Sequence, residues 1–166
     1  GQSVALKLNG SAGTFDGNAV GGEVNIETGN LVIDVTEDAI LSQTNGDLAL
    51  VSQATIGGET YTTTGTGGDL RVRNSGGALQ VNTDLSVGGE TALITGANLT
   101  AQGTGANGVN LNGNVTSTGN LVVLSQGDIT QTSGSLVAPQ IGLGANGTIG
   151  TTTNPIQIQT TGLSVN

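Results

Sequence analysis

The sequence of 166 residues contains no cysteine, histidine, methionine or tryptophan, and aromatic residues make up only 1% of it. The absence of cysteine excludes disulfide bonds, thiolate metal sites and thiol nucleophiles. Aromatic side chains normally supply much of the buried apolar area of a core. A core in this chain must therefore be narrow and built from Leu, Val and Ile.

Basic residues are almost as scarce, since Lys7, Arg71 and Arg73 are the only three and the formal net charge is -9. Such a surface repels phosphate backbones, so we expect no nucleic-acid partner. No apolar run is long enough to span a bilayer, and no basic segment opens a signal peptide, so no membrane insertion is expected. Gly1 in place of Met predicts a processed chain or a piece excised from a longer one.

Glycine is abundant, with 30 residues, and the hydrophobic fraction is 34%, below the ~45–50% of ordinary globular chains. Disordered chains share that low hydrophobicity, but they are rich in Pro and in charged residues. This chain has 2 prolines and 9% charged residues. An ordered fold is therefore favoured.

Short alternating apolar runs, each bounded by Gly, Asn, Asp, Ser or Thr, predict β-strands from end to end. Within Leu70-Arg71-Val72-Arg73 the aliphatic residues share one face and the guanidiniums the other, as in a half-buried strand. The best helical candidate, Thr36–Ser42, is long enough for one turn only. The main predicted strands are Val4–Leu8, Val24–Glu27, Leu31–Val35, Leu48–Ser52, Leu70–Asn74, Ala78–Asn82, Ala92–Thr95, Leu121–Ser125, Ile156–Gln159 and Leu163–Val165.

Aliphatic residues that open these strands recur about 22 residues apart, a period typical of solenoids. The pairs are Leu48 with Leu70, Leu99 with Leu121, and Ile141 with Leu163. The sequence thus predicts an all-β fold, a single β-solenoid segment over 1–166 with roughly 20–22 residues per coil. Extra residues near 10–22 and 104–120 are expected to be loop insertions.

Two stretches resemble the repeats of filamentous-haemagglutinin-like large exoproteins: Gly127–Leu136, followed by Asn154-Pro155-Ile156, and Thr14–Val20. The resemblance implies a right-handed parallel β-helix, secretion across a Gram-negative outer membrane, and an adhesin shaft on the bacterial cell surface. The secretion domain of that family carries repeated Asn-Pro-Asn motifs, which this chain lacks. The resemblance therefore points to the shaft.

Candidate sites for chemistry are few. The densest acidic cluster, Asp34, Glu37 and Asp38, offers oxygen ligands to Ca²⁺ but lacks any calcium-loop pattern, so a solvated turn is the favoured interpretation. Paired carboxylates facing each other across coils would support glycoside hydrolysis. The remaining acids mostly sit in turns, where Asp accepts backbone hydrogen bonds. They include Asp47, Glu59, Asp69, Asp84, Glu90 and Asp128.

Three further features carry weaker signals. Thr-rich stretches at 61–64 and 151–153 suggest an ice-binding face, although such a face needs Thr in nearly every coil. Arg71 and Arg73 are expected to extend over neighbouring outward residues or to pair with Glu90 or Asp69, and contact with an acidic partner or a glycan is the alternative. The glycosylation sequons are Asn9, Asn98, Asn114 and Asn146.

The sequence favours a non-catalytic structural segment of a secreted bacterial surface adhesin or extracellular fibre, with no catalytic residue, cofactor or metal assigned. Its expected partners are other β-helical segments of the same parent chain, identical copies stacked end to end, or host and matrix glycans. Two alternatives stay open. One is a carbohydrate-active β-helix enzyme that uses paired carboxylates, and the other is a glycan-binding or ice-binding module.

Overall fold

The computed structural model describes residues 1–13, 22–96 and 107–166, and every regular element in these ranges is a β-strand. The all-β prediction is confirmed. The strands are β1 Ser3–Leu8, β2 Val24–Asn25, β3 Asn30–Val35, β4 Ala39–Gln43, β5 Leu48–Val51, β6 Gln53–Ile56, β7 Glu59–Thr62, β8 Gly65–Thr66, β9 Leu70–Asn74, β10 Leu79–Asn82, β11 Leu85–Val87, β12 Thr91–Thr95, β13 Val109–Leu111, β14 Val115–Ser117, β15 Leu121–Ser125, β16 Ile129–Gln131, β17 Leu136–Val137, β18 Gln140–Ala145, β19 Ile158–Gln159 and β20 Gly162–Val165.

Almost all strand pairs are parallel and join segments far apart in sequence, so the chain returns repeatedly to the same positions. We call each return a winding and each resulting column of strands a face. The first face has the order β16-β13-β10-β5-β3, the second β3-β8-β11-β14-β17-β19, and the third β2-β4-β9-β12-β15-β18-β20, while β1 pairs with β3. The first two faces form one curled sheet through β3. This arrangement is compatible with a β-solenoid.

The core is a set of aliphatic columns along the stack. On the first face, Leu48 pairs with Leu79, Leu79 with Val109 and Val109 with Ile129, and all four are fully buried. Each residue thus packs on the equivalent residue of the next winding, about 4.8 Å away. Such columns bury apolar area continuously without large aromatic side chains. This explains how a chain with so few aromatics forms an extended core.

The spacing between stacked residues is uneven. Val109 and Ile129 are 20 positions apart, and Ile141 and Leu163 are 22 apart, as predicted. Leu48 and Leu79 are 31 apart, because an inserted hairpin lengthens the intervening winding. The predicted stacking of Leu48 with Leu70 is wrong, since they lie on different faces of one winding. Leu99 lies outside the described residues.

The hairpin is formed by β6 and β7, which are the antiparallel pair, and it turns at Gly57 and Gly58. Both glycines have positive φ, 62° and 89°, as a two-residue hairpin turn requires.

The first predicted loop, 10–22, contains Ala12, which forms a bridge with Ala39 and is 4% exposed. Residues 14–21 of this interval lie outside the described residues. The second predicted loop, 104–120, contains the strands β13 and β14 within its described part, and 104–106 lie outside the described residues.

The segment proposed as a helical turn, Thr36–Ser42, is instead part of the third face, where Ala39–Gln43 forms the buried strand β4. Ile40 is 1% exposed on the outward side and Leu41 is fully buried on the inward side. Apolar residues on both sides hide the alternation that identifies a strand. The pairing with β9 therefore makes this segment a strand, despite its weak local preference for a helical turn.

Buried polar side chains mark the corner that follows the third face. Gln43 donates from Nε2 to the carbonyl of Asn45 at 2.9 Å, and Asn74 donates to the carbonyl of Ala78 at 2.8 Å. In later windings, Thr95 donates to Asn107 O at 2.7 Å and Ser125 to Asp128 O at 2.9 Å. In each of these four windings, one side chain thus accommodates a backbone carbonyl of the turn.

Candidate functional site

A cleft of about 360 Å³ lies between the β6–β7 hairpin and the outward side of β1 and β3. Its floor includes Ala5 and Val32, which are paired residues of the two strands. Tyr61 of β7, the only tyrosine of the chain, lines the cleft and is half-buried. The hairpin thus places an aromatic ring beside a small apolar surface.

Charged groups line the same cleft. Lys7 Nζ lies 3.1 Å from Asp34 Oδ2, and the Thr64 hydroxyl donates to Asp34 Oδ1 at 2.6 Å. The hydrogen bond from the Thr64 hydroxyl lowers the pKa of Asp34 below its usual value, and the Lys7 ammonium adds a smaller effect in the same direction. Asp34 is therefore a carboxylate at neutral pH. Glu59, which is exposed at the start of β7, adds a second carboxylate to the lining.

Five aspartates act in the stack itself. An aspartate in one winding accepts a backbone N–H from the next: Asp38 from Asp69 N, Asp69 from Glu90 N, and Asp128 from Thr148 N, at 2.7 to 2.8 Å. Asp47 and Asp84 accept from Ala78 N and Asn114 N at 2.9 and 2.8 Å. Turn chemistry was the predicted role, but the partner is the next winding rather than the aspartate's own turn. These carboxylates therefore stabilise the stacking.

The predicted acidic cluster does not assemble. Asp34 faces the cleft, Glu37 Oε2 accepts from the Ser11 hydroxyl at 2.8 Å, and Asp38 accepts from the next winding. Across residues 1–13, 22–96 and 107–166, no group of three or more His, Cys, Asp or Glu side chains is arranged to hold a metal ion.

Arg71 and Arg73 do not lie on an open surface. Both are buried, at 3% and 7% exposure, and both contact the buried carboxylate of Glu23. Arg73 donates to it through Nε at 3.1 Å and through Nη2, while Arg71 Nη2 lies 3.2 Å from Oε1. The predicted pairing with Glu90 or Asp69 is wrong because Glu23, distant in sequence, reaches this side of the sheet. The alternation in β9 holds, since Val72 is fully buried in the core.

The threonine-rich stretches do not form a common face. Thr60 and Thr62 line the cleft, and Thr64 is bonded to Asp34. Thr151 and Thr153 lie between β18 and β19, at the other end of the stack, with hydroxyls 3.1 Å apart. Among the sequons, Asn9, Asn114 and Asn146 are exposed, and Asn98 is outside the described residues.

The large apolar side chains exposed in the described part of the chain all lie in the first and last windings. They are Leu8 (38%), Val24 (37%), Leu163 (52%) and Val165 (57%). Leu8 and Val24 belong to β1 and β2, whereas Leu163 and Val165 belong to β20. The apolar columns of the core are therefore exposed to solvent at both ends of the stack.

The described ranges hold no helix of the length and apolar character needed to cross a membrane. Comparison with protein-family models, with curated proteins and with solved structures finds no match to this chain. The resemblance to filamentous-haemagglutinin-like exoproteins therefore stays a prediction.

The predictions from the sequence do not include the cleft, although the sequence contains a signal for the hairpin that forms one of its walls. Gly57-Gly58 stands between two β-prone runs, which is the pattern of a two-residue hairpin. The long-range contacts of Thr64 with Asp34 have no such local signal.

Proposed function

We propose that this chain is a non-catalytic shaft segment of a secreted bacterial surface fibre, wound as a right-handed parallel β-helix. The observation that carries the proposal is the open apolar surface of the two end windings, at Leu8, Val24, Leu163 and Val165. Single exposed apolar residues are ordinary on protein surfaces, but their restriction to the two ends of the stack is not. Covering them requires further windings.

Those windings come from the same parent chain or from identical copies stacked end to end. Both are supported by the strands β1 and β20, each of which pairs on one edge only within the described residues, since open edges are templates for pairing. Stacking of copies is head to tail, so it does not close and yields fibres rather than a fixed oligomer. The proposed location of this assembly is extracellular, on the bacterial surface.

The use of acids in the stack supports a non-catalytic role. Asp38, Asp47, Asp69, Asp84 and Asp128 each accept a backbone N–H of the next winding. Asp34, in the cleft, is paired with Lys7. Paired-carboxylate hydrolysis would need one carboxyl group with a raised pKa as the acid. The lowered pKa of Asp34 does not suit that acid role.

The test measures association of the full chain by light scattering and electron microscopy over a concentration series. We expect linear assemblies that lengthen with concentration, and we expect Leu163→Glu with Val165→Glu to prevent them. Thr55→Ala, an exposed change on the hairpin, is the control and should assemble normally. A chain that stays monomeric at high concentration, from a parent gene without similar windings on either side, would refute the proposal.

A further inference from the structure

We propose that the cleft between the β6–β7 hairpin and strands β1 and β3 binds a neutral saccharide, with Tyr61 packing against the sugar ring and Asp34 accepting its hydroxyls. This goes beyond the shaft role and does not depend on it, because the cleft lies on the side of the stack.

Tyr61 provides the stacking surface. A pyranose has an apolar face of C–H groups, which packs on an aromatic face, while its hydroxyls need hydrogen-bond partners at the edge. Tyr61 is half-buried beside the paired residues Ala5 and Val32. The phenol combines an apolar ring with a polar tip, as such an amphipathic ligand requires. An aliphatic side chain of the same size offers no flat surface.

The polar lining matches sugar hydroxyls, which both donate and accept. Asp34 accepts from Thr64 and is 3.1 Å from Lys7, yet its side chain keeps 29% of its surface exposed. A carboxylate has about four lone-pair positions, so these two partners leave acceptor capacity for a ligand hydroxyl. Lys7 supplies donors, with its side chain 69% exposed. Thr60 and Thr62 also line the cleft.

Charge and size narrow the ligand class. The cleft carries Asp34 and Glu59 against Lys7, within a chain of net charge -9. A uronate or sialate would meet excess negative charge, so a neutral sugar is favoured. A volume of about 360 Å³ is near the lower end of ligand pockets, roughly 300–1,000 Å³. One or two sugar units fit this size.

The hairpin is anchored at its base, so the cleft is preformed. Thr63 donates from Oγ1 to Val51 O at 2.5 Å and accepts from Ile33 N at 3.3 Å. The neighbouring Thr64 N donates to Ile33 O at 2.9 Å. These bonds tie the segment that follows β7 to β3 and β5, and preorganisation of this kind lowers the entropic cost of binding.

The test uses the chain's own spectroscopy. With one tyrosine and no tryptophan, intrinsic fluorescence reports on Tyr61 alone. The full chain is titrated with cellobiose, N,N′-diacetylchitobiose and digalacturonate, up to about 50 mM of each, a range that reveals millimolar affinity. We expect a saturable change with at least one neutral disaccharide and none with digalacturonate. No saturable response to either neutral probe, or equal binding of digalacturonate, would overturn the proposal.

Variants locate the binding, with affinity measured by calorimetry and folding checked by circular dichroism. Tyr61→Leu keeps the bulk but removes the ring, and Asp34→Asn removes the charged acceptor. Each is expected to weaken the affinity at least about tenfold, which is 1.4 kcal/mol. Gln53→Ala changes an exposed residue of the same hairpin that does not line the cleft, and this variant should bind as the original chain does. Unchanged affinity in both folded cleft variants would contradict the site.

Discussion

Nη2 of Arg71 lies 3.2 Å from Oε1 of Glu23, and both side chains are at most 5% exposed. Glu23 also binds Arg73, so one buried carboxylate serves two buried guanidiniums. Removing its charge would leave both cations without a counter-charge in the described part of the chain. Breaking a buried ion pair in this way costs several kcal/mol.

Glu23→Gln is therefore expected to lower the free energy of unfolding by about 3–5 kcal/mol. The matched control is Glu59→Gln, which makes the same change at an exposed position and should stay within about 0.5 kcal/mol. Urea unfolding followed by circular dichroism measures both. Equal effects of the two substitutions would show that Glu23 is not buried against the arginines.

The two arginines are expected to differ. Arg73 donates two hydrogen bonds to Glu23, whereas Nε and Nη2 of Arg71 have no hydrogen-bond partner in the described residues. Arg73→Met should thus be clearly destabilising, while Arg71→Met removes an incompletely paired buried charge and should be close to neutral. The comparison uses the same unfolding measurement. A greater loss from Arg71→Met than from Arg73→Met would contradict this assignment.

Glycine at the corner between the second and third faces permits close stacking of the windings. A Cβ added at Gly88 would lie 2.0 Å from the carbonyl oxygen of Gly67 in the preceding winding. Gly88→Ala should therefore cost at least about 1–3 kcal/mol, as overpacking does.

Gly142 is the control for this substitution. A Cβ there would have Val122 Cγ2 at 3.8 Å as its near contact, and its φ is not in the left-handed region. Gly142→Ala should be neutral or stabilising by about 0.4–1 kcal/mol, because it reduces the entropy of the unfolded chain. Thermal unfolding of the two variants provides the comparison. A similar loss for both would mean that the windings are not packed as described.

Acid should weaken the fold through Asp34. Its pKa is lowered in the folded state by the Thr64 hydroxyl and by Lys7, so its contribution to stability is present above the pKa of the unfolded chain. That contribution is lost as pH falls through the lower, folded-state pKa. Asp34→Asn should be less stable than the original chain at pH 7, and the difference should shrink as pH falls below the usual aspartate pKa of 3.8. Urea unfolding from pH 7 to pH 2 would test this, and a constant difference would contradict it.

The sequence predicts the core better than the surface. Alternation in Leu70–Asn74 correctly places Val72 in the core, because the inward columns need only local pattern. The burial of Arg73 depends on Glu23, 50 positions earlier, and no local pattern encodes that contact. For the same reason Arg73→Asp, which changes a residue on the side of β9 that alternation predicts to be exposed, is expected to be severe.

The spacing of Leu48 and Leu70 shows a second limit. Their separation equals the coil length only because the β6–β7 insertion lengthens that winding. Insertions break the link between sequence period and stacking. The cleft depends on such an insertion, and therefore only its turn, Gly57-Gly58, was predictable.

Distant segments of the chain stack in register along one axis. Asn30, Ala49, Gln80, Asn110 and Thr130 form one column through four successive pairings. At about 4.8 Å per step, the backbones at Asn30 and Thr130 should be about 19 Å apart.

The chain has no cysteine, so spin labels can be placed at Asn30→Cys and Thr130→Cys without a background signal. Pulsed electron paramagnetic resonance measures the distance between the two labels. We expect a single distance distribution centred near 19 Å, with a width set by the label arms. Moving the first label to Ala49→Cys should shorten the distance by about one step of 4.8 Å. A broad distribution, or a distance that does not change with the winding, would contradict the stacked fold.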